Sequence, residues 1–304
     1  MSNIIRPEDA WLGLDTSDLD IANPLLNRTE KDIRRPDLHL LRLMRDPKYL
    51  GYAANILLNI ELLPIQVAVL RELWTRPFPM FVASRGFGKS WLMSVYAMLK
   101  CALIPGTKVV IVGAAFRQSK VIFEYMETLW RDAPILRSIC DTNSGPRRDT
   151  DRCTMRINDS WAIAVPLGDG TKIRGLRAHT IIADEFASIP PDIYETVVAG
   201  FAAVSASPVQ NVKEAARRKV LKESGDWSDD LEVKYRTKRS NQAIISGTAD
   251  YDFKHFADYW KRYHKIVASK GEESKLREVF PDGVPDGFDW TDYSVLRIPY
   301  ELIP

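Results

Sequence analysis

Two short stretches of this chain hold residues whose types and spacing could do chemistry. The first is Ala83-Ser84-Arg85-Gly86-Phe87-Gly88-Lys89-Ser90. It follows the phosphate-binding pattern G-x-x-x-x-G-K-[ST], except that an alanine stands at the first glycine and an arginine lies inside the loop. In such a loop Gly86 and Gly88 supply backbone freedom and close approach. The amides of the turn and of the helix that follows converge on phosphate, aided by the helix dipole. The Lys89 ammonium would reach the β- and γ-phosphates of ATP, and the Ser90 hydroxyl would ligate Mg2+. The second stretch is "TIIADEF", residues 180–186, an apolar run ending in Asp184-Glu185. Adjacent carboxylates at the end of a buried strand are costly unless they work. In ATPases of this build the aspartate holds Mg2+ and the neighbouring glutamate polarises the attacking water. Either stretch alone has a plain explanation, a chance G-K-S turn or an ordinary acidic turn. Together they favour a hydrolytic phosphate-loop ATPase.

The surrounding sequence supplies elements suited to hold these groups. "PMFVAS" (79–84) is a short buried strand ahead of the loop, and "KSWLMSVYAMLKCAL" (89–103) is the helix the loop opens. "KVVIVGA" (108–114) is a second apolar strand, and "FRQSKVIFEYMETLWRD" (116–132) an amphipathic helix. "CTMRI" and "SWAIAVP" (153–157 and 160–166), split by Asn158-Asp159, predict a hairpin, and 141–152 a loop. "QAIISGTAD" (242–250) is a further apolar strand before a helix over 252–268. Upstream, "PIQVAVLRELW" (64–74) opens on proline and reads as a helix. Trp91 and Trp130 fall on helix faces as core residues, and His179 beside the acidic strand reads as structural. Strands alternating with helices, several of them continuously apolar, imply an α/β fold with a mostly parallel sheet covered on both faces. The expected organisation is a polar arm over 1–36, an ATPase domain with a helical N-terminal part over 37–270, and a Pro- and Gly-rich linker over 271–304.

Composition bounds the reading without deciding it. Of 304 residues, 45% are hydrophobic, enough for a sizeable core, and the net charge of +2 argues against a histone-like polycation. Cys101, Cys140 and Cys153 show no C-x-x-C spacing and suit a reducing compartment. The polar N-terminus carries no apolar signal core, and no apolar run reaches the roughly 18 residues a membrane helix needs.

With these motifs in place, the chain resembles the large terminase subunit of tailed bacteriophages, the ATPase of the DNA-packaging motor, over roughly residues 60–255. "LLPIQVAVLREL" looks like the family's adenine-contacting segment, with Gln66 as its glutamine. "SRGFGKS" looks like its deviant phosphate loop, which lacks the first glycine and carries an arginine. "KIRGLRAHTIIADEF" resembles the R-G motif running into the acidic strand, and "ISGTAD" the coupling motif, with Thr248 placed to sense loss of the γ-phosphate. The resemblance implies a P-loop NTPase of the ASCE, RecA-like arrangement. Ser84, Arg85, Gly86, Phe87, Gly88, Lys89, Ser90, Gln66 and Thr248 would hold ATP, and Ser90 and Asp184 would hold Mg2+. Glu185 and Arg85 would serve catalysis, with Arg174 or Arg177 as a finger reaching a neighbouring subunit. It further implies double-stranded DNA, the portal protein, the small terminase subunit and a ring of copies as partners, in the host cytoplasm and without a membrane. The family's nuclease domain finds no room before Pro304.

Basic residues form two groups. Arg147, Arg148, Arg152 and Arg156 precede Lys172, Arg174 and Arg177, while a second cluster runs from Lys213 through Arg217, Arg218 and Lys219 to Arg239. The second is interleaved with acids, so it reads equally as a solvated helical face or as a track for the DNA backbone, which needs only positive charge. Two rival readings remain at this point: a helicase-like translocase lobe of a related superfamily, and a nucleotide-sensing module without turnover, against which Glu185 speaks.

Overall fold

The computed structural model describes residue 40, residues 43–166, 178–195, 220–228 apart from 222 and 226, 241–248, 255–285 and 288–302. After a turn of 3-10 helix at Pro47–Tyr49 come helices α1 (Leu50–Leu58) and α2 (Pro64–Thr75). Strand β1 (Phe78–Ala83) leads through the glycine loop into α3 (Lys89–Leu103). Next are β2 (Lys108–Gly113), α4 (Phe116–Arg131) and the short α5 (Pro134–Ile139). A meander follows, β3 (Gly145–Arg148), β4 (Cys153–Ile157) and β5 (Ser160–Pro166), then β6 (Thr180–Ala183) and β7 (Gln242–Gly247). The described chain closes with α6 (His255–Ser269), α7 (Glu273–Leu276) and β8 (Tyr293–Ile298).

The eight strands form one sheet in the order β3-β4-β5-β2-β6-β7-β1-β8. Every pairing from β5 to β8 is parallel, and only the β3-β4-β5 end is antiparallel. The predicted α/β class and covered parallel sheet are therefore observed. Alternation along β1 shows how both faces are buried. Phe81 and Ala83 point into the core shared with α1 to α4, while Met80 and Val82 point into the opposite core with Phe256 and Tyr263 of α6. Side chains on a strand alternate between faces, so a strand buried on both must be apolar throughout, as "FPMFVA" is. Helix α3, central in this arrangement, is buried almost all round, from Leu92 to Leu103. Among the described residues no helix is long and apolar enough to cross a membrane.

Two regions depart from expectation. Residues 293–298 fall in the stretch expected to be a linker, yet they form β8, in parallel register with all of β1 from Phe78↔Tyr293 to Ala83↔Ile298. The prolines and glycines before it make the turns that bring the chain back, and the alternating "YSVLRI" buries Ser294 and Ile298. The stretch 141–152, expected as a loop, contains β3, an exposed edge strand of Pro and Arg that among the described residues pairs only with β4. Proline and charge on an edge strand block further strand addition, which is also why its sequence does not look like a strand. The hairpin at 153–166 lies where the sequence put it. The polar arm over 1–36 lies outside the described residues.

Candidate nucleotide site

The site forms at the carboxyl ends of β1, β7 and β6, which the parallel sheet places side by side. This is where ligands bind in open α/β sheets. The loop after β1 turns on two glycines, Gly86 at φ 93° and Gly88 at φ 82°. Both values belong to the left-handed region that other residues adopt only at a cost, so the deviant loop keeps its glycines where geometry demands them. Gly88 caps α3, its carbonyl accepting from the Leu92 amide at 2.8 Å. Ala83, at the missing glycine, is the last residue of β1 and is buried within the sheet, where only a small side chain is needed.

Three strand ends meet through side chains. The Lys89 ammonium donates to the Ala83 carbonyl at 3.1 Å and to Thr248 Oγ1, just beyond β7, at 2.9 Å. The Ser90 hydroxyl donates to Asp184 Oδ2 at 2.9 Å, and Ser246 Oγ of β7 donates to Asp184 Oδ1 at 3.0 Å. Burial pulls the Lys89 amine below its ordinary value, while the charges of Glu185 and Asp184 push it back up and that of Arg85 lowers it further. Burial raises the Asp184 carboxyl, against the two serine hydroxyls that favour its charged form. Burial, and then the adjacent Asp184 charge, raise the half-buried Glu185 carboxyl. Burial thus raises both members of the acidic pair, the half-buried Glu185, which lines the cavity, and the buried Asp184.

Beside this cluster lies a cavity of about 660 Å3, walled by Arg85, Gly86, Gly88, Lys89, Ser90, Glu185 and Thr248, and bordered on its apolar side by Trp91, Val121 and Tyr125. It is of a size to hold a nucleotide. The residues present also fit a divalent cation. Magnesium takes one or two protein oxygens and fills its octahedron with substrate phosphates and water. Ser90 and Asp184 offer one hydroxyl and one carboxylate already facing each other. Among the described residues no cluster of three or more His, Cys, Asp or Glu able to hold a metal occurs.

Of the described residues singled out from sequence as site residues, four are not part of the cavity wall: Asp184, which is 2% exposed, Ser84, Phe87 and Gln66. Ser84 turns its amide (3.0 Å) and hydroxyl (3.4 Å) to the Ile298 carbonyl of β8. The Phe87 ring is 4% exposed and packs edge-on against Phe81, so only its backbone can face a ligand. The Gln66 carboxamide oxygen accepts from the Leu63 amide at 3.0 Å, closing the N-terminus of α2. Trp91 packs partly buried against the core, as expected, and also joins the cavity wall. His179 is structural as expected, its Nδ1 accepting from the Lys108 amide. Arg174 and Arg177, with Lys172 and the cluster from Lys213 to Arg239, lie outside the described residues. Arg147, Arg148, Arg152 and Arg156 are described, and each bonds nearby within the meander or α4, Arg148 to Glu127. Sequence reading missed Ser246, although a lone serine in the apolar run "QAIISG" was a visible signal.

One protein family and several solved structures match this chain. Residues 80–208 match the family described as "Terminase large subunit, T4likevirus-type, N-terminal". That stretch contains the glycine loop and the acidic pair, so the resemblance read from the motifs is borne out there. Among solved structures, the chain is similar to a variant of the large terminase ATPase domain of Thermus phage P74-26. Identity is 14%, with 83% of this chain and 84% of that one covered and a TM-score of 0.48. It is similar to the large terminase of bacteriophage HK97 at 15% identity, with 70% of this chain, 38% of that one and a TM-score of 0.47. The large terminase of a thermophilic bacteriophage in complex with ADP gives 12% identity, 79% and 46% coverage, and a TM-score of 0.45. This chain thus spans less than half of the latter two proteins. No curated protein sequence matches it.

Proposed function

We propose that this chain is the ATP-hydrolysing motor domain of a viral DNA-packaging terminase, driving double-stranded DNA into a procapsid. The observation that carries the reading is the joining of three strand ends. The phosphate-loop lysine bonds to Thr248, and the phosphate-loop serine bonds to an aspartate that is followed directly by a half-buried glutamate.

Bound ATP with Mg2+ supplies the phosphoanhydride to be cleaved and the counter-charge for its oxygens. Gly86, Gly88 and the first amides of α3 face the phosphates, with the positive end of the helix dipole behind them. On arrival of the triphosphate, Lys89 exchanges Thr248 and Ala83 for phosphate oxygens, which desolvation makes favourable because burial has already weakened its hold on water. Ser90 and Asp184 would hold the metal, which would supply counter-charge to the phosphate oxygens. Glu185 accepts a proton from the attacking water as the γ-phosphoryl departs, a role suited to its raised proton affinity. Arg85, at the cavity edge, offsets charge on the transferring group. Release of Lys89 from Thr248 gives β7 a direct report of whether the γ-phosphate is present.

The ring of copies on the portal, the small subunit as partner, the host cytoplasm as location, and Arg174 or Arg177 completing a neighbour's site belong to this proposal through the family likeness. The test is a turnover assay of the chain with and without double-stranded DNA and purified portal protein. Mg2+-dependent ATP hydrolysis that rises on adding them is expected. ATP binding without hydrolysis under all conditions would return the chain to a nucleotide sensor.

A further inference from the structure

Glu185 is one of four non-glycine residues with positive φ in the described chain, at φ 49°, ψ 47°. A residue with a side chain adopts this conformation only at a cost, so its surroundings must impose it. The imposing contacts come from the turn that follows. The Ser188 amide donates to the Glu185 carbonyl at 2.9 Å and the Ile189 amide to the Phe186 carbonyl at 3.0 Å, closing a turn of 3-10 helix over Phe186–Ser188. The Phe186 side chain is fully buried among the rings of Tyr194, His255, Phe256 and Tyr259, at centroid distances of 4.6 to 5.8 Å. The Phe186 carbonyl takes a second bond, from His255 Nε2 at 3.0 Å. A carbonyl can only accept, so this ring nitrogen carries the hydrogen.

His255 is the first residue of α6, seven positions beyond Thr248. Gly247 closes the same contact from β7: a Cβ there would meet the Phe256 ring at 3.2 Å and the Phe186 amide at 3.6 Å. The strand end that carries Thr248, the start of α6 and the turn that carries Glu185 are therefore packed as one unit.

Building on the reading of Glu185 as the water-activating group, we propose that His255 is a positioning residue for it. Through its bond to the Phe186 carbonyl, His255 fixes the strained backbone that aims the Glu185 carboxylate into the cavity, and it ties that aim to the segment beyond Thr248. His255 touches no reacting atom. Its effect must therefore appear in turnover rather than in nucleotide binding, and only while the glutamate is there to be aimed.

The experiment is a double-substitution cycle in the whole chain, reading kcat, KM and nucleotide affinity. His255→Phe keeps a ring against Phe186 and removes the donor, so that packing and hydrogen bonding are separated. His255→Gln offers an amide donor to the same carbonyl. His255→Phe is expected to lower kcat by roughly 10- to 100-fold, the scale of a small misplacement of a reacting group, with nucleotide affinity unchanged. His255→Gln is expected to recover part of that loss. In a Glu185→Gln background, His255→Phe should cost almost nothing more, because residues acting as one unit are not additive. An equal fold-loss in both backgrounds, or wild-type kcat for His255→Phe, would overturn the positioning role while leaving the ATPase reading intact. Wild-type turnover by Glu185→Gln alone would overturn the reading of Glu185 as the water-activating group, and the positioning role with it.

Discussion

Helix α3 carries a buried lysine near each end, and the two live in opposite surroundings. Lys89, at the N-terminus, is 7% exposed and is held by the Ala83 carbonyl and the Thr248 hydroxyl, within the field of Asp184 and Glu185. Lys100, three turns on, is 6% exposed and lies 4.2 Å from the centroid of the Trp74 ring and 5.5 Å from that of Tyr96. Aromatic faces attract a cation, but they do not replace its water as oxygen acceptors do. Burial alone accordingly pulls the Lys100 amine down to about 7, whereas at Lys89 neighbouring carboxylates oppose the same effect. A lysine buried with exchangeable oxygen partners is poised to bind a phosphate. One buried against rings is a cost that packing offsets, and it makes the fold sensitive to pH.

The sharpest break between the two ends is functional. Lys89→Ala is expected to reduce ATP hydrolysis to background and weaken triphosphate binding, with the fold retained by circular dichroism. Near-normal hydrolysis would mean that the amine near Thr248 has no more to do with phosphate than the one near Trp74. Next in size, Glu185→Gln should bind ATP and Mg2+ and turn over at least ~10²-fold more slowly, the scale of losing a general base. Asp184→Asn should instead weaken the Mg2+ dependence of binding, and identical behaviour of the two variants would erase the division of roles at that end.

The other end is probed by stability. Between about pH 7 and the ordinary lysine value of 10.5, the unfolded chain holds a proton on Lys100 that the folded chain lacks. Stability tied to this group therefore rises with pH across that window, by up to about 1.4 kcal/mol per unit, and is flat below it. Buried Cys101, whose thiol burial pushes up, acts in the reverse sense above its ordinary value of 9, so the useful range is pH 7 to 9. Lys100→Met should remove the rise, as seen in the difference between the two proteins in urea unfolding. Parallel pH curves would show that Lys100 is solvated after all. The smallest effect is expected from Thr248→Val. It leaves Lys89 one acceptor fewer, and nucleotide affinity and turnover should change by about 2- to 10-fold, the worth of one hydrogen bond.

How much of this was legible in the sequence follows from how local each feature is. The loop over 83–90 and the pair Asp184-Glu185 could be read directly, because glycines at fixed offsets and acids ending an apolar run are short-range signals. The order of strands in the sheet could not, since nothing local says that β7 inserts between β1 and β6. Ser246 and His255 were missed for a related reason. Their partners, Asp184 and the Phe186 carbonyl, lie 62 and 69 positions away, and a serine in a strand or a histidine opening a helix carries no label of its own. Gln66 shows the converse. Its place in a family motif suggested a ligand contact, while its side-chain oxygen serves the local need of a helix start. The last strand, β8, was hidden by the prolines and glycines around it and by a partner more than two hundred positions upstream.

That last strand has a mechanical meaning. β8 runs parallel to β1 over six paired residues and ends with the Ile298 carbonyl on the amide of Ser84, where the phosphate loop begins. A pull directed along β8 would load the bonds between the two strands together in shear instead of peeling them one by one. A slip by a single residue would carry the carbonyl about 3.3 Å along the strand, farther than a hydrogen bond can stretch. The loop therefore feels such a pull in one of two ways, held or released, and the stiffness of its anchor is set by a segment nearly at the other end of the chain.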